Sequence, residues 1–174
     1  MTLTPRHLFV LRHAKSSWAE PAVPDHDRPL APRGEEALAR LRRYLAREGV
    51  SPAVVLCSSA RRTVLTCSGI MPVLPAETTV EIEDDLYAAS GPRLLARLRR
   101  LDDEVPSVLV IGHNPGVQSL ASMLSGAGDP ELRGRVVTKF PTGGFAALAF
   151  SSSWADLTAG SATLEAFVVP RDLT

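Results

Sequence analysis

Three short apolar runs in this 174-residue chain each end in side chains capable of chemistry. Arg12 and His13 follow Leu8–Leu11, Ser58 with Arg61 and Arg62 follows Ala53–Cys57, and His113 follows Ser107–Ile111. Ligands of open α/β sheets bind beyond the carboxyl ends of the strands. If the runs are buried strands, the arginines and histidines therefore meet on one sheet edge. Guanidinium forks match phosphate oxygens, and a neutral imidazole attacks phosphorus without the repulsion a carboxylate or thiolate would meet. The chemistry is that of an anion site with a nucleophile in it. Two neighbours strengthen it. A helix beginning near Asn114, a plausible cap, would aim its N–H groups and dipole at His113. Arg61 and Arg62 near a helix start oppose that helix's dipole, so helix stability alone would not select them.

Other phosphate chemistries fit less well. No segment matches the Gly-x4-Gly-Lys-Ser/Thr loop of nucleotide hydrolases. A cysteine phosphatase needs five residues between its Cys and Arg; Cys57 is followed by four and then Arg62, with Thr63 at the required place. Gly112–Gly116 has the outline of a nucleophile elbow, but Asn114 stands where the serine belongs. Four histidines without close carboxylate pairing make a weak metallophosphatase cluster. Cys57 and Cys67 fit neither a disulfide framework nor a zinc site, which suits reduced thiols in a cytosolic protein.

The elements that must position these residues follow from periodicity. Leu8–Leu11, Ala53–Cys57 and Ser107–Ile111 are continuous apolar runs, the pattern of strands buried on both faces, and a weaker strand is expected over Thr78–Ile82. Pro21, Pro24, Pro29 and Pro32 place a long loop after His13. Gly34–Glu48 reads as an amphipathic helix with Ala37, Leu38, Leu41, Tyr44 and Leu45 on one face. Ser58 and Ser59 are possible caps for the next helix. Ser90 caps a helix carrying Pro92, Leu94, Leu95, Leu98 and Leu101, and Val117, Leu120, Ala121 and Leu124 form the stripe of the last one expected. Phe145–Phe150 and Thr163–Val168 are two strands that could pair antiparallel. Strands alternating with amphipathic helices imply an α/β domain with a mostly parallel sheet.

Composition agrees with that reading. Nineteen Lys and Arg balance nineteen Asp and Glu, so there is no basic excess of the kind a nucleic-acid binder needs. At 45% hydrophobic and 22% charged residues the chain is in the globular range. A chain of this length buries roughly 70% of its unfolded surface and needs no disulfide or metal to fold. The polar start Met1–His7 and the shortness of the Leu8–Leu11 run argue against a signal segment, and no stretch approaches the roughly 20 apolar residues of a membrane helix. A cytoplasmic location without membrane contact is expected.

Five segments, in order, resemble the histidine phosphatase superfamily, and within it the SixA-type phosphohistidine phosphatases. They are Leu11–Trp18 (LRHAKSSW), Asp25–Leu30 (DHDRPL) with Arg33-Gly34, Ser58–Arg62 (SSARR) with Thr66, Gly112–Gly116 (GHNPG) and Lys139–Thr142 (KFPT). The resemblance implies a three-layer α/β/α, phosphoglycerate mutase-like fold over a single domain, 1–174. It implies that His13 becomes phosphorylated, with Arg12, Arg62 and His113 holding the phosphoryl oxygens. Ser58 four before and Thr66 four after select Arg62 over Arg61. Ser16 matches a substrate-binding hydroxyl three after the nucleophile, whereas Ala19 replaces the asparagine of many mutase-like members. A proton donor would come from Glu83, Asp84 or Asp85, which otherwise read as a solvated acidic loop. Asp27-Arg28 and Lys139–Thr142 read mainly as loop anchors, with substrate contact by Arg28 or Lys139 left open. The implied reaction requires no metal and no cofactor. Its substrate is phosphohistidine in a protein or a small phosphate ester; a non-catalytic binder of a phosphorylated partner is the remaining alternative. The short spans from His13 to Arg62 and from Arg62 to His113 leave little room for an inserted cap, so an open mouth is expected.

Overall fold

The apolar run at the start of the chain becomes strand β1, Arg6–Arg12, in the middle of a seven-stranded sheet. The computed structural model describes residues 4–174, so the first three residues of the polar start lie outside it. Strands β2 (Val54–Ser58), β3 (Thr79–Glu83) and β4 (Ser107–Gly112) run parallel to β1. Beyond β1 come β6 (Phe145–Phe150), antiparallel to it, then β7 (Ala162–Val168), antiparallel to β6, and β5 (Ser125–Gly128), parallel to β7. The sheet order is β3-β2-β4-β1-β6-β7-β5, mostly parallel with β6 reversed.

Helices cover both faces because the central strands are apolar on both. Helices α1 (Pro32–Arg47) and α2 (Arg61–Ile70) enclose one core with Leu11, Val55, Leu109 and Ile111. Helices α3 (Gly91–Leu98), α4 (Gly116–Leu124) and α5 (Pro130–Thr138) enclose the other with Leu8, Val10, Val108 and Val110. This is the expected three-layer α/β/α arrangement. At about 25 cal/mol per Å², each buried leucine on these helices contributes roughly 1.5–3 kcal/mol, which is what fixes the helices over the sheet.

Local starts and stops differ from expectation in informative ways. α1 begins two residues before Gly34, because Pro32 suits the first helical position, where its missing N–H is no loss. Gly34 is then a packing residue: a Cβ there would lie 2.3 Å from the Lys15 carbonyl oxygen. Ala60, not Ser58 or Ser59, is the N-cap of α2, and Pro115, not Asn114, is that of α4. Ser90 does cap α3, accepting from the Arg93 N–H at 3.3 Å. Strand β5 and helix α5 fall outside the expected elements. α5 nevertheless carries a start signal in Asp129, whose carboxylate accepts from the N–H groups of Glu131 and Leu132.

Candidate active site

β1 delivers Arg12 and His13 to the sheet edge between two neighbours that fix its backbone. His13 N–H donates to the Gly112 carbonyl of β4 at 3.1 Å, and Gly143 N–H donates to the His13 carbonyl at 2.9 Å from the β6 side. Gly143 has φ 74°, a conformation that costs a residue with a Cβ. Ala14 N–H donates to Thr66 Oγ1 at 3.0 Å, and Thr66 Oγ1 donates to the Arg62 carbonyl at 2.7 Å. The segment after His13 is thereby tied to the helix that carries Arg62.

His13 is 6% exposed, and its Nδ1 lies 2.8 Å from the Ala14 carbonyl oxygen. A carbonyl can only accept, so Nδ1 carries the proton and Nε2 keeps a free lone pair. Burial holds the His13 pKa down, to about 4, with Arg62 and Arg12 acting in the same direction against the Ala14 hydrogen bond and Asp25. His113, 5.3 Å away between ring centroids, is lowered to about 3 by burial and then by Arg62 and His13. Arg62 Nη2 donates to His113 Nδ1 at 3.2 Å, so the Nε2 proton faces Ser58 Oγ at 2.7 Å. Both imidazoles are neutral at pH 7.

The two arginines complete a cationic corner. Arg62 is 8% exposed and donates to the Asp25 carbonyl at 2.7 Å and to Asp25 Oδ2 at 3.1 Å. Arg12 donates through Nη1 to the Phe140 carbonyl at 3.0 Å, while its buried Nε has no partner. Burial and the nearby Arg62 charge both disfavour the Arg12 cation. Two guanidinium groups and two neutral imidazoles, short of negative charge, can bind a tetrahedral oxyanion and present a nitrogen lone pair to it.

Of the remaining expected residues, some join this corner and some do not. Arg61 is exposed where Arg62 is buried. Ser16 is half-buried, in a bridge with Leu30, and its hydroxyl makes no hydrogen bond among the described residues. Glu83 is held by Arg97, whose Nε reaches both carboxylate oxygens at 3.0 Å. Asp84 and Asp85 are exposed in the 3-10 turn Asp84–Leu86. None of these three acidic side chains bonds to Arg12, His13, Arg62 or His113 among the described residues. Arg28 lies 3.8 Å over the Trp18 ring, turned into its own loop, and Lys139 is exposed at the end of α5.

A comparison with known proteins gives the arrangement its family. Residues 8–90 match the model of the histidine phosphatase superfamily, branch 1. An uncharacterised protein of Mycobacterium tuberculosis H37Rv is 36% identical over 165 residues, spanning 92% of this chain and 100% of the relative. The SixA structure from Nakamurella multipartitia superposes with a TM-score of 0.81 at 30% identity, covering 98% of this chain and 99% of its own. This chain belongs to the histidine phosphatase superfamily. Another superfamily structure, the protein histidine phosphatase SixA complexed with tungstate, superposes at 0.76 with 25% identity over 95% of this chain and 98% of its own.

Within this superfamily member, two residues at the corner escaped the reading of strand ends. Asp25 sits in a 3-10 turn, Asp25–Asp27, of the proline-rich loop, and Tyr87 follows the 3-10 turn after β3. Tyr87 OH donates to Asp25 Oδ2 at 2.5 Å, and its ring stands edge-on to His113 with centroids 5.5 Å apart. The Tyr87 hydrogen bond, then Arg62, holds the Asp25 carboxyl below its ordinary range. Asp25 belongs to the DHDRPL segment, but nothing in its spacing says that its carboxylate faces Arg62. The serines that do not cap α2 are also engaged here, Ser58 with His113 and Ser59 Oγ with His26 Nε2 at 3.0 Å.

Proposed function

We propose that this phosphatase, acting as one domain over 1–174, removes phosphoryl groups from phosphohistidine in a protein through a covalent intermediate on His13. The free Nε2 lone pair of a neutral, buried His13 between two arginines carries this reading. In the first step Nε2 forms a bond to phosphorus as the substrate's P–N bond breaks, and the departing imidazole takes its proton from solvent. In the second, water oxygen bonds to phosphorus, the P–Nε2 bond breaks with its electron pair returning to Nε2, and inorganic phosphate leaves carrying one of the water's protons while the other passes to solvent. Arg12 and Arg62 stabilise the equatorial oxygens as charge spreads over them. When Arg62 turns its Nη2 from His113 to the phosphoryl oxygens, Ser58 can turn its hydroxyl to donate to His113 Nε2, so that Nδ1–H becomes a third donor to the phosphoryl group. Tungstate, the ligand of the related SixA structure, is likewise a tetrahedral oxyanion.

The acid side of the site favours a P–N over a P–O substrate. An ester leaves as an alkoxide and needs a positioned proton donor. Glu83 is paired with Arg97, and Asp25 is held ionised by Tyr87 and Arg62. Initial rates on a phosphohistidine-bearing protein and on a panel of sugar and nucleotide monophosphates test the choice. We expect kcat/KM at least about tenfold higher on the phosphoramidate; a metabolite ester that exceeds it overturns the substrate assignment.

A further inference from the structure

A groove of about 780 Å³ lies beside the proposed site and shares its backbone. Lys15, two residues after His13, lines it, as do Pro141 and Thr142. Phe140 just before them accepts from Arg12, and Gly143 just after them donates to the Arg12 and His13 carbonyls. The floor is apolar, built from Ala37, Phe167 and Val169, all buried. Two rows of cations flank it. Arg33 and Arg40 lie on α1, about 10 Å apart along the helix, Arg135 lies on α5 with Lys139 at its C-cap, and Arg171 also lines the groove.

The charge of the groove is not consumed within the fold. Six lining side chains are cationic and two, Glu36 and Glu131, are anionic, in a chain whose formal net charge is zero. Arg135 pairs with Asp172 at 2.7 Å. Lys15, Arg33, Arg40, Lys139 and Arg171 make no ion pair or side-chain hydrogen bond among the described residues, and Arg40 Nε is buried without a partner. A single phosphate is held by donors converging on one point, whereas these cations are spread over α1, the C-terminal end of α5 and the segments at Lys15 and Arg171. A nucleic-acid strand would want exposed aromatic rings for stacking, and Phe167 is 3% exposed.

We infer that this groove docks a carboxylate-rich, partly apolar segment of the protein substrate, next to the phosphohistidine delivered to His13. The inference rests on the phosphohistidine reading above. Carboxylates spaced along a polypeptide meet the two cationic rows, its apolar side chains cover the floor, and the contact sets which phosphoproteins are dephosphorylated quickly. Because Lys15, Arg33, Lys139 and Arg171 are exposed, their attraction is screened by salt.

The test uses the full-length protein and two phosphohistidine peptides, one with Glu and Asp flanking the phosphorylated residue and one with Ser and Gln. The wild type should show kcat/KM at least about tenfold higher on the acidic peptide at low salt, and a much smaller preference at high salt. The Arg33→Glu/Arg171→Glu protein should lose the preference while its turnover of p-nitrophenyl phosphate changes less than about twofold. The Gln versions of the same pair, which only neutralise charge, should fall between. Equal rates on both peptides, or a preference that survives the double charge reversal, overturn the inference. Fluorescence anisotropy of the unphosphorylated acidic peptide separates this outcome from failure of the substrate reading. Binding that the double variant loses, without turnover of either phosphopeptide, keeps the groove and removes the phosphohistidine substrate. No binding removes the groove. An oligonucleotide of equal charge that binds more tightly than the peptide overturns the choice of partner.

Discussion

One hydrogen bond, from His13 Nδ1 to the Ala14 carbonyl, decides which nitrogen of that ring is free. Burial and two arginines then decide that it stays free in acid, since the folded pKa of His13 is about 4 against an ordinary value of 6.5. kcat/KM for p-nitrophenyl phosphate, corrected for the ionisation of the substrate, reports the free enzyme. Its acid limb should therefore fall near pH 4, and a limb at 6.5 would mean that His13 is solvated. Asp25 opposes the arginines by favouring both imidazolium forms. Asp25→Asn should move the limb to still lower pH. It should also reduce kcat/KM about 10- to 100-fold, because Arg62 loses the carboxylate that aims it. A variant with an unchanged limb and rate would show that Asp25 is only a loop residue.

At the scale of elements, the site depends on how closely α1 approaches the segment after His13. Replacing glycine by alanine inside a helix ordinarily gains up to about 1 kcal/mol. At Gly34 the new Cβ would meet the backbone oxygen of Lys15 at 2.3 Å, an atom that cannot swing aside. Overpacking of this kind costs about 1–3 kcal/mol, so the clash wins. Gly34→Ala should lower the urea midpoint and slow turnover together, whereas a raised midpoint would show that α1 has slack. The elements themselves were legible wherever burial wrote a period into the sequence. β1, β2 and β4 are buried on both faces and read as apolar runs, and α1 shows its stripe. α5 buries only Val136 fully, so it has almost no periodicity, although Asp129 and Pro130 mark its start. β5 is Ser-Gly-Ala-Gly, where a Cβ on Gly126 would lie 1.8 Å from the Gly160 carbonyl oxygen. Its glycines are there for close approach, and no apolar pattern announces it. Asn114, Ser58 and Ser59 look like caps but spend their polar groups elsewhere. Asn114 Nδ2 donates to the Phe140 carbonyl at 2.9 Å, bracing the same wall that holds Arg12.

Over the whole molecule, zero net charge is an average over a cationic corner, a cationic groove and acidic loops. The strand-end arginines and histidines were readable because a parallel sheet gathers its carboxyl ends. The Asp25–Tyr87 contact was not, because it joins two 3-10 turns 62 positions apart that no periodicity relates. Keeping two histidines neutral inside the fold also sets a pH dependence of stability. Their folded pKa values, about 4 and about 3, lie below the ordinary value of 6.5, so in acid the unfolded chain binds more protons than the native one. Stability should be full above pH 6.5 and fall progressively toward about pH 3. A His13→Asn protein should show a shallower fall in its urea midpoint over that range, and an identical fall would place the titrating groups elsewhere.

The central claim is a phosphoryl group carried on His13, and trapping tests it most directly. The protein is mixed with a phosphohistidine peptide, quenched in alkali within the first turnover and examined by intact-mass and peptide mass spectrometry. One phosphoryl group per chain on His13, stable in alkali and lost in acid, with no label and at least about a thousandfold slower turnover in His13→Ala, is the predicted result. A His13→Ala protein that keeps its rate, or a phosphoryl group found on another residue, would contradict it.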